Sequence, residues 1–154
     1  MPVYRFGDLL ALARRSWVKR LASELEARGF REYRISDAGS VRLLYVAPRS
    51  VGELGELLGV TRQAARKVAA NLERRGYAAI VPDPDDARKR IVMLTEPGRA
   101  YGRAIAEVIA LLNLALAFRV SPEQLEAADT VLRASIDDDA LRARAEAVPR
   151  PKST

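Results

Sequence analysis

One three-residue step, Gly59-Val60-Thr61, leaves the middle of this chain little conformational choice. Gly59 is a helix stop, Thr61 is a good N-cap, and only Val60 separates them, so the helices on either side must meet at a sharp angle. Ahead of the step, Ser50 offers another N-cap, and Val51, Leu54, Leu57 and Leu58 follow at i, i+3, i+6 and i+7 on one helical face. After it, residues 61–75 set Ala65, Val68, Ala69 and Leu72 on one side of a helical wheel and Gln63, Arg66, Lys67 and Arg74 on the other. One face is made to pack closely; the other carries long donors that suit a polyanion. Leu72 and Gly76 close this second helix.

Residues 77–81 then read as a β-strand. Pro82, Asp83, Pro84, Asp85 and Asp86 force a turn, and residues 90–94 are β-rich again. Two helices followed by such a hairpin make a winged helix-turn-helix.

These residues resemble the winged-helix repressors of the MarR (multiple-antibiotic-resistance regulator) family. That family's wing reads roughly as D-x-R, a small residue, two variable positions and V-x-L-T. Asp86, Arg88, Val92, Leu94 and Thr95 match it, while Lys89 stands at the small position and adds charge. The stretch SVGELGELLGVTRQAARKVAANLERRGY is similar to the family's helix-turn-helix throughout, and the family's helical layout can be followed over about residues 8–136. The resemblance implies a mainly α fold in a single domain, 1–154. Its winged helix-turn-helix with a small β-hairpin wing would occupy residues 36–95, flanked by N- and C-terminal dimerisation helices in 1–30 and 96–148. It also implies a homodimer on a pseudo-palindromic operator, with Thr61, Arg62, Gln63, Arg66 and Lys67 as major-groove and phosphate contacts and repression relieved by a small organic ligand. Arg88 would reach phosphates or a minor groove from the wing, Asp86 would brace it, and Arg74 and Arg90 complete the basic set.

Charge supports an acidic partner. The 154 residues carry a formal charge of +6 with a pI near 10, and the segment 62–75 alone holds Arg62, Arg66, Lys67, Arg74 and Arg75 against Glu73. Cysteine and histidine are both absent. That excludes thiol redox chemistry, imidazole bases and Cys- or His-ligated metals, so no enzyme activity, cofactor or metal is expected. The aspartate sets Asp83/Asp85/Asp86 and Asp137/Asp138/Asp139 sit in turns and read as turn formers. A DNA-coating nucleoid-type protein without sequence choice is the alternative to a sequence-specific regulator.

The flanks are helical. Asp8 is expected to cap a first helix with Leu10, Ala13, Trp17, Leu21 and Leu25 inward, Arg14, Arg15, Lys19 and Arg20 solvated, and Gly29 as its stop. Ser36 is expected to cap a second helix that Pro48 ends. Trp17, Phe30, Tyr33 and Tyr45 are the candidate lining of an effector pocket, because similar regulators hold effectors between these helices and the one after the wing. Thr95 should cap that next helix, whose run 104–118 is apolar nearly all round. The run is shorter than the about 20 residues a membrane span needs, so a second subunit is the expected cover and no membrane partner is expected. Ser121, Pro122 and Gln124 open a last long helix with Leu125, Ala128, Leu132 and Ile136 along one stripe. Residues 140–148 suggest a further short helix and 149–154 a frayed tail. With no N-terminal signal visible, a cytoplasmic location is expected.

Overall fold

The computed structural model describes residues 5–146, so the expected tail and the end of the expected 140–148 helix lie outside the described residues. The order is α1 (Phe6–Ala27), α2 (Ile35–Val46), β1 (Arg49–Ser50), α3 (Val51–Leu58), α4 (Arg62–Arg74), β2 (Ala78–Pro82), β3 (Arg90–Leu94), α5 (Glu96–Ala117), α6 (Pro122–Ala134) and α7 (Asp139–Glu146). The fold is mainly α with a winged helix-turn-helix, as expected. Its sheet is antiparallel with strand order β1-β3-β2. Ala78 opposite Leu94 through Pro82 opposite Arg90 forms the wing, and Pro82 is tolerated because it ends an edge strand. Arg49 and Ser50 pair with Val92 and Ile91 on the other side of β3. Two residues have no readable period, which is why β1 escaped the sequence reading.

The central caps form as the sequence dictates. Ser50 Oγ accepts the Glu53 N–H at 3.2 Å and the Ser50 N–H donates back to Glu53 Oε2 at 2.8 Å, a complete capping box. Gly59 takes φ 67° and lets the Val60 N–H close onto the Gly55 carbonyl, after which Thr61 Oγ1 accepts the Ala64 N–H at 3.1 Å. Gly76, at φ 77°, ends α4 in the same way, with the Tyr77 N–H bonded to the Leu72 carbonyl. Two expected caps are corrected. Arg5, not Asp8, precedes α1, and Asp8 sits in the first turn, where a carboxylate suits the helix dipole. Arg34, not Ser36, precedes α2, its N–H donating to Asp37 Oδ2 at 3.0 Å. Leu57 is exposed while Val51 and Leu54 are buried, because steps of 100° place it about 120° from Val51 and about 60° beyond Leu54, on the margin of their stripe.

Packing divides the chain into two compact units that part inside α5, after Ile109. In the first unit Leu21, Leu25, Val41, Leu44, Leu54, Ala65, Ala69, Leu72, Val92, Tyr101, Ile105 and Val108 form the core. Leu10 and Ala13, expected inward on α1, are exposed. Thr95 caps α5 as expected: its Oγ1 accepts the Gly98 N–H at 3.2 Å and donates to the Gly76 carbonyl at 2.6 Å.

In the second unit Leu112 is buried, whereas Leu111, Leu114 and Leu116 on α5 and Phe118 just after it are exposed. The Ser121 and Gln124 capping box opens α6 as expected. No residue of α6 is buried, so its apolar stripe is unburied in the single chain. Arg133 on α6 pairs with Asp129 and donates to the Ala145 carbonyl of α7, while Arg142 donates to the Ile136 carbonyl at 3.1 Å. By length and composition the 22 residues of Glu96–Ala117 are enough to cross a membrane, longer than the 104–118 run suggested. Core helices pass the same test, and the first half of this one is core.

Candidate nucleic-acid interface

Helix α4 buries Ala65, Ala69 and Leu72 against α3 and the sheet, with Val68 half-buried at the margin. The alanines bring the backbone close to its neighbours, and the opposite face is left to Gln63, Arg66, Lys67 and Arg74, all exposed. Between α4 and the wing lies a cleft of about 460 Å³ lined in part by Arg62, Arg66, Arg88, Lys89 and Arg90. Its anionic members are Glu53 and Glu56 of α3. The Glu53 carboxyl is held below the usual carboxylate range by the backbone N–H and hydroxyl of Ser50. Five cations against two carboxylates give the cleft a positive field.

Hydrogen bonds hold the wing at its base and tip. Glu73 Oε1 accepts the Ile80 N–H at 3.0 Å, tying α4 to β2. Asp86 Oδ1 accepts the Arg88 N–H at 3.0 Å and the Asp86 carbonyl accepts the Lys89 N–H at 2.8 Å, so Asp86 braces the turn through backbone bonds and leaves the Arg88 side chain outward. The expected set therefore divides. Arg62, Arg66, Arg88 and Arg90 meet at one cleft, Gln63, Lys67 and Arg74 continue along the outer face of α4, and the Thr61 hydroxyl is engaged in capping.

Arg75 corrects the sequence-level charge count. Its guanidinium turns inward: Nη2 lies 2.8 Å from Asp37 Oδ1 and 2.9 Å from Oδ2, and Nη1 donates to the Glu32 carbonyl at 2.9 Å. Tyr101 Oη donates to Asp37 Oδ2 at 2.8 Å, and the Tyr101 ring stacks on Tyr77 with centroids 4.4 Å apart. Burial, aided by Asp37, pushes the Tyr101 phenol far above the ordinary tyrosine range. Burial alone would lower the Arg75 pKa, but its hydrogen bond to Asp37 and that residue's charge outweigh this and raise it. The sequence held a hint of the cluster in an aspartate and a tyrosine at helical core positions, but nothing that joined them.

Two of the four aromatics proposed as a pocket make contacts elsewhere in the fold. Phe30 lies 5.3 Å from Tyr101 in the ring cluster, and the Tyr45 ring takes the Arg99 guanidinium at 5.9 Å. Trp17 and Tyr33 are half-exposed. A second cleft, of about 490 Å³, is lined instead by Gly7, Leu10, Ala11, Arg14, Arg15, Val18 and Ile35.

A sequence profile of the MarR family matches residues 41–89, from α2 through the wing turn. Over those residues the chain is similar to the MarR family. An uncharacterized protein of Mycobacterium tuberculosis is 37% identical over 87 residues, a match covering 56% of this chain and 61% of that protein. The transcriptional activatory protein BadR of Rhodopseudomonas palustris is 40% identical over 58 residues, 38% of this chain and 33% of BadR. The chain thus spans less than two thirds of the length of these relatives. Among solved structures, the transcriptional repressor CouR bound to a 23-mer DNA duplex superposes with a TM-score of 0.70 at 22% identity, over 83% of this chain and 89% of CouR. The heme sensor protein PefR of Streptococcus agalactiae, in complex with heme, superposes at 0.68 and 21% identity, over 87% and 92%. The matched family is one of transcription regulators, in line with the expectation that the chain is not an enzyme.

Proposed function

We propose that this protein is a cytoplasmic, sequence-specific transcriptional regulator of the MarR family that binds a pseudo-palindromic operator as a homodimer. The observation that carries the reading is the cleft where Arg62 and Arg66 of α4 face Arg88, Lys89 and Arg90 of the wing. Each α4 enters a major groove and each wing reaches phosphate or an adjacent minor groove. The DNA-bound repressor CouR, of the same fold, supports this, and BadR, an activatory protein, leaves the sign of regulation to experiment.

Gln63 and Arg66 stand in the first turns of α4 and can make bidentate contacts to base edges. Replacing either by alanine should cost about 1 to 3 kcal/mol on the selected site and relax preference at particular base pairs. Arg88→Ala should weaken binding to all sequences and reduce the salt slope by about one. Titrations of cognate, single-mismatch and random duplexes at several salt concentrations check this; equal losses on every duplex for all three variants would remove the division of roles. A nucleoid-type coat would instead show no preference for the selected site over random duplex, where a specific regulator gains about 10³ or more.

The dimer is read from the second unit, where Leu111, Leu114, Phe118, Val131 and Leu132 are all exposed. Such a surface is costly in water at about 25 cal/mol per Å² and calls for a second copy. The wild-type protein should sediment as a dimer at micromolar concentration, and Leu114→Glu should shift it to monomer or aggregate. A wild-type monomer would overturn the assembly.

A small organic effector belongs to the same reading. The cleft under α1 has an apolar lining of Leu10, Ala11, Val18 and Ile35 beside the Arg14 and Arg15 guanidiniums, which suits an organic anion. A small aromatic carboxylate that releases the protein from DNA should lose its effect on the Arg14→Ala/Arg15→Ala variant. Unchanged release would place the effector elsewhere.

A further inference from the structure

We propose that Arg75, Asp37 and Tyr101 form a positioning device that sets the aim of α4, so that they govern sequence preference without touching DNA; this rests on the DNA-binding reading above. Arg75 is the C-cap of α4, the point at which the recognition helix leaves its own hydrogen-bond ladder. Its side chain is 6% exposed and that of Asp37 is 1% exposed. Four segments meet there. Asp37 comes from the first turn of α2, the Glu32 carbonyl from the link before it, Tyr101 from α5, and Tyr77 from the residue after the Gly76 stop.

Burying such an ion pair is a poor way to gain stability, since apolar side chains of similar volume do as well or better. What it supplies is direction. Asp37 accepts bonds from the Arg75 guanidinium, the Tyr101 hydroxyl and the Arg34 N–H, three donors from three approaches that only one placement of the α4 terminus satisfies. Thr95 adds to the same anchor, its N–H bonding the Tyr77 carbonyl at 3.1 Å and its hydroxyl the Gly76 carbonyl.

The consequence follows from leverage. Twelve residues at 1.5 Å each separate Arg75 from Gln63, roughly 18 Å along the helix axis. A tilt of about 5° at the Arg75 end carries Gln63 sideways by about 1.5 Å, more than a base-edge hydrogen bond tolerates. Long arginine side chains at phosphates can follow such a shift. Loosening the anchor therefore erodes preference between sequences before it erodes affinity for DNA as such.

The test uses the full chain with two duplexes, the palindrome that the wild type selects from a random pool and a random duplex of equal length, read below the melting temperature of each variant. Asp37→Asn, Arg75→Lys and Tyr101→Phe should each lower the ratio of selected to random affinity about tenfold. Random-duplex affinity and the salt slope should stay at wild-type values, and Asp37→Asn with Tyr101→Phe should do no more than the stronger of the two alone. Tyr101→Phe removes a single hydroxyl and serves if either charge variant fails to fold. Folded variants that keep the wild-type ratio would overturn the proposal and leave the DNA reading intact. A shallower salt slope for Arg75→Met, with Asp37→Asn silent, would make Arg75 a phosphate contact instead. A wild type that selects no sequence would overturn the DNA reading, and the proposal with it, before any variant is measured.

Discussion

Arg75→Met should lower folding stability by about 3 to 5 kcal/mol, because it leaves the Asp37 carboxylate buried with no cation beside it. Asp37 would keep the Tyr101 hydroxyl and the Arg34 N–H, two bonds that share its Oδ2, and lose both contacts from Nη2. Removing both charges is a different matter. Asp37→Leu combined with Arg75→Met takes away the stranded charge along with its partner and should recover most of the loss, as expected where the penalty lies in an unpaired buried ion. Urea unfolding of the three proteins at neutral pH measures this. A loss under about 1 kcal/mol for Arg75→Met would mean that solvent reaches the carboxylate and that the ion pair is not closed off as described.

Gly98→Ala should be comparably severe for a steric reason. A Cβ at Gly98 would lie 1.8 Å from the Tyr77 carbonyl oxygen and 2.8 Å from its carbon, backbone atoms that cannot rotate away. That carbonyl also accepts the Thr95 N–H, so the clash falls on the joint between the end of α4 and the start of α5. Overpacking of this kind costs about 1 to 3 kcal/mol or more, here at the upper end because α5 must shift bodily. Gly52→Ala is the control. Its Cβ would meet nothing closer than Ser50 Oγ at 3.9 Å, and an alanine in the first turn should stabilise α3 by less than about 1 kcal/mol. Equal effects from the two substitutions would show that α5 yields freely at Gly98.

Much of the interface is legible in the order of residues because it is local. Ser50, Thr61 and Ser121 bond to N–H groups three residues on, and Gly59 and Gly76 reverse the chain through their own positive φ. The split of α4 into an alanine face and a basic face is likewise a matter of 100° steps. All of those features but the Ser121 cap fall within the segment that matches the MarR family, and they place Arg62, Arg66 and Arg88 before any tertiary contact is considered. The caps at Asp8 and Ser36 misled because propensity names a residue that can cap, while packing chooses which turn comes first.

What the order of residues leaves open is the destination of long side chains and of faces whose partners are remote. Arg75 counts as one more recognition-helix cation until the fold brings Asp37, 38 positions away, and Tyr101, 64 positions from Asp37, to the same point. Trp17, Phe30, Tyr33 and Tyr45 look like one cluster along the chain, yet Phe30 joins Tyr101 and Tyr45 meets Arg99 across the fold. The sequence by itself determined the helix breaks, the caps at the centre and the chemistry of the outward face, since each depends on neighbours within a turn or two. Only the tertiary structure decided which charge is buried and how the end of α4 is held, because those depend on loop closures whose outcome is set by the whole core and by no local preference.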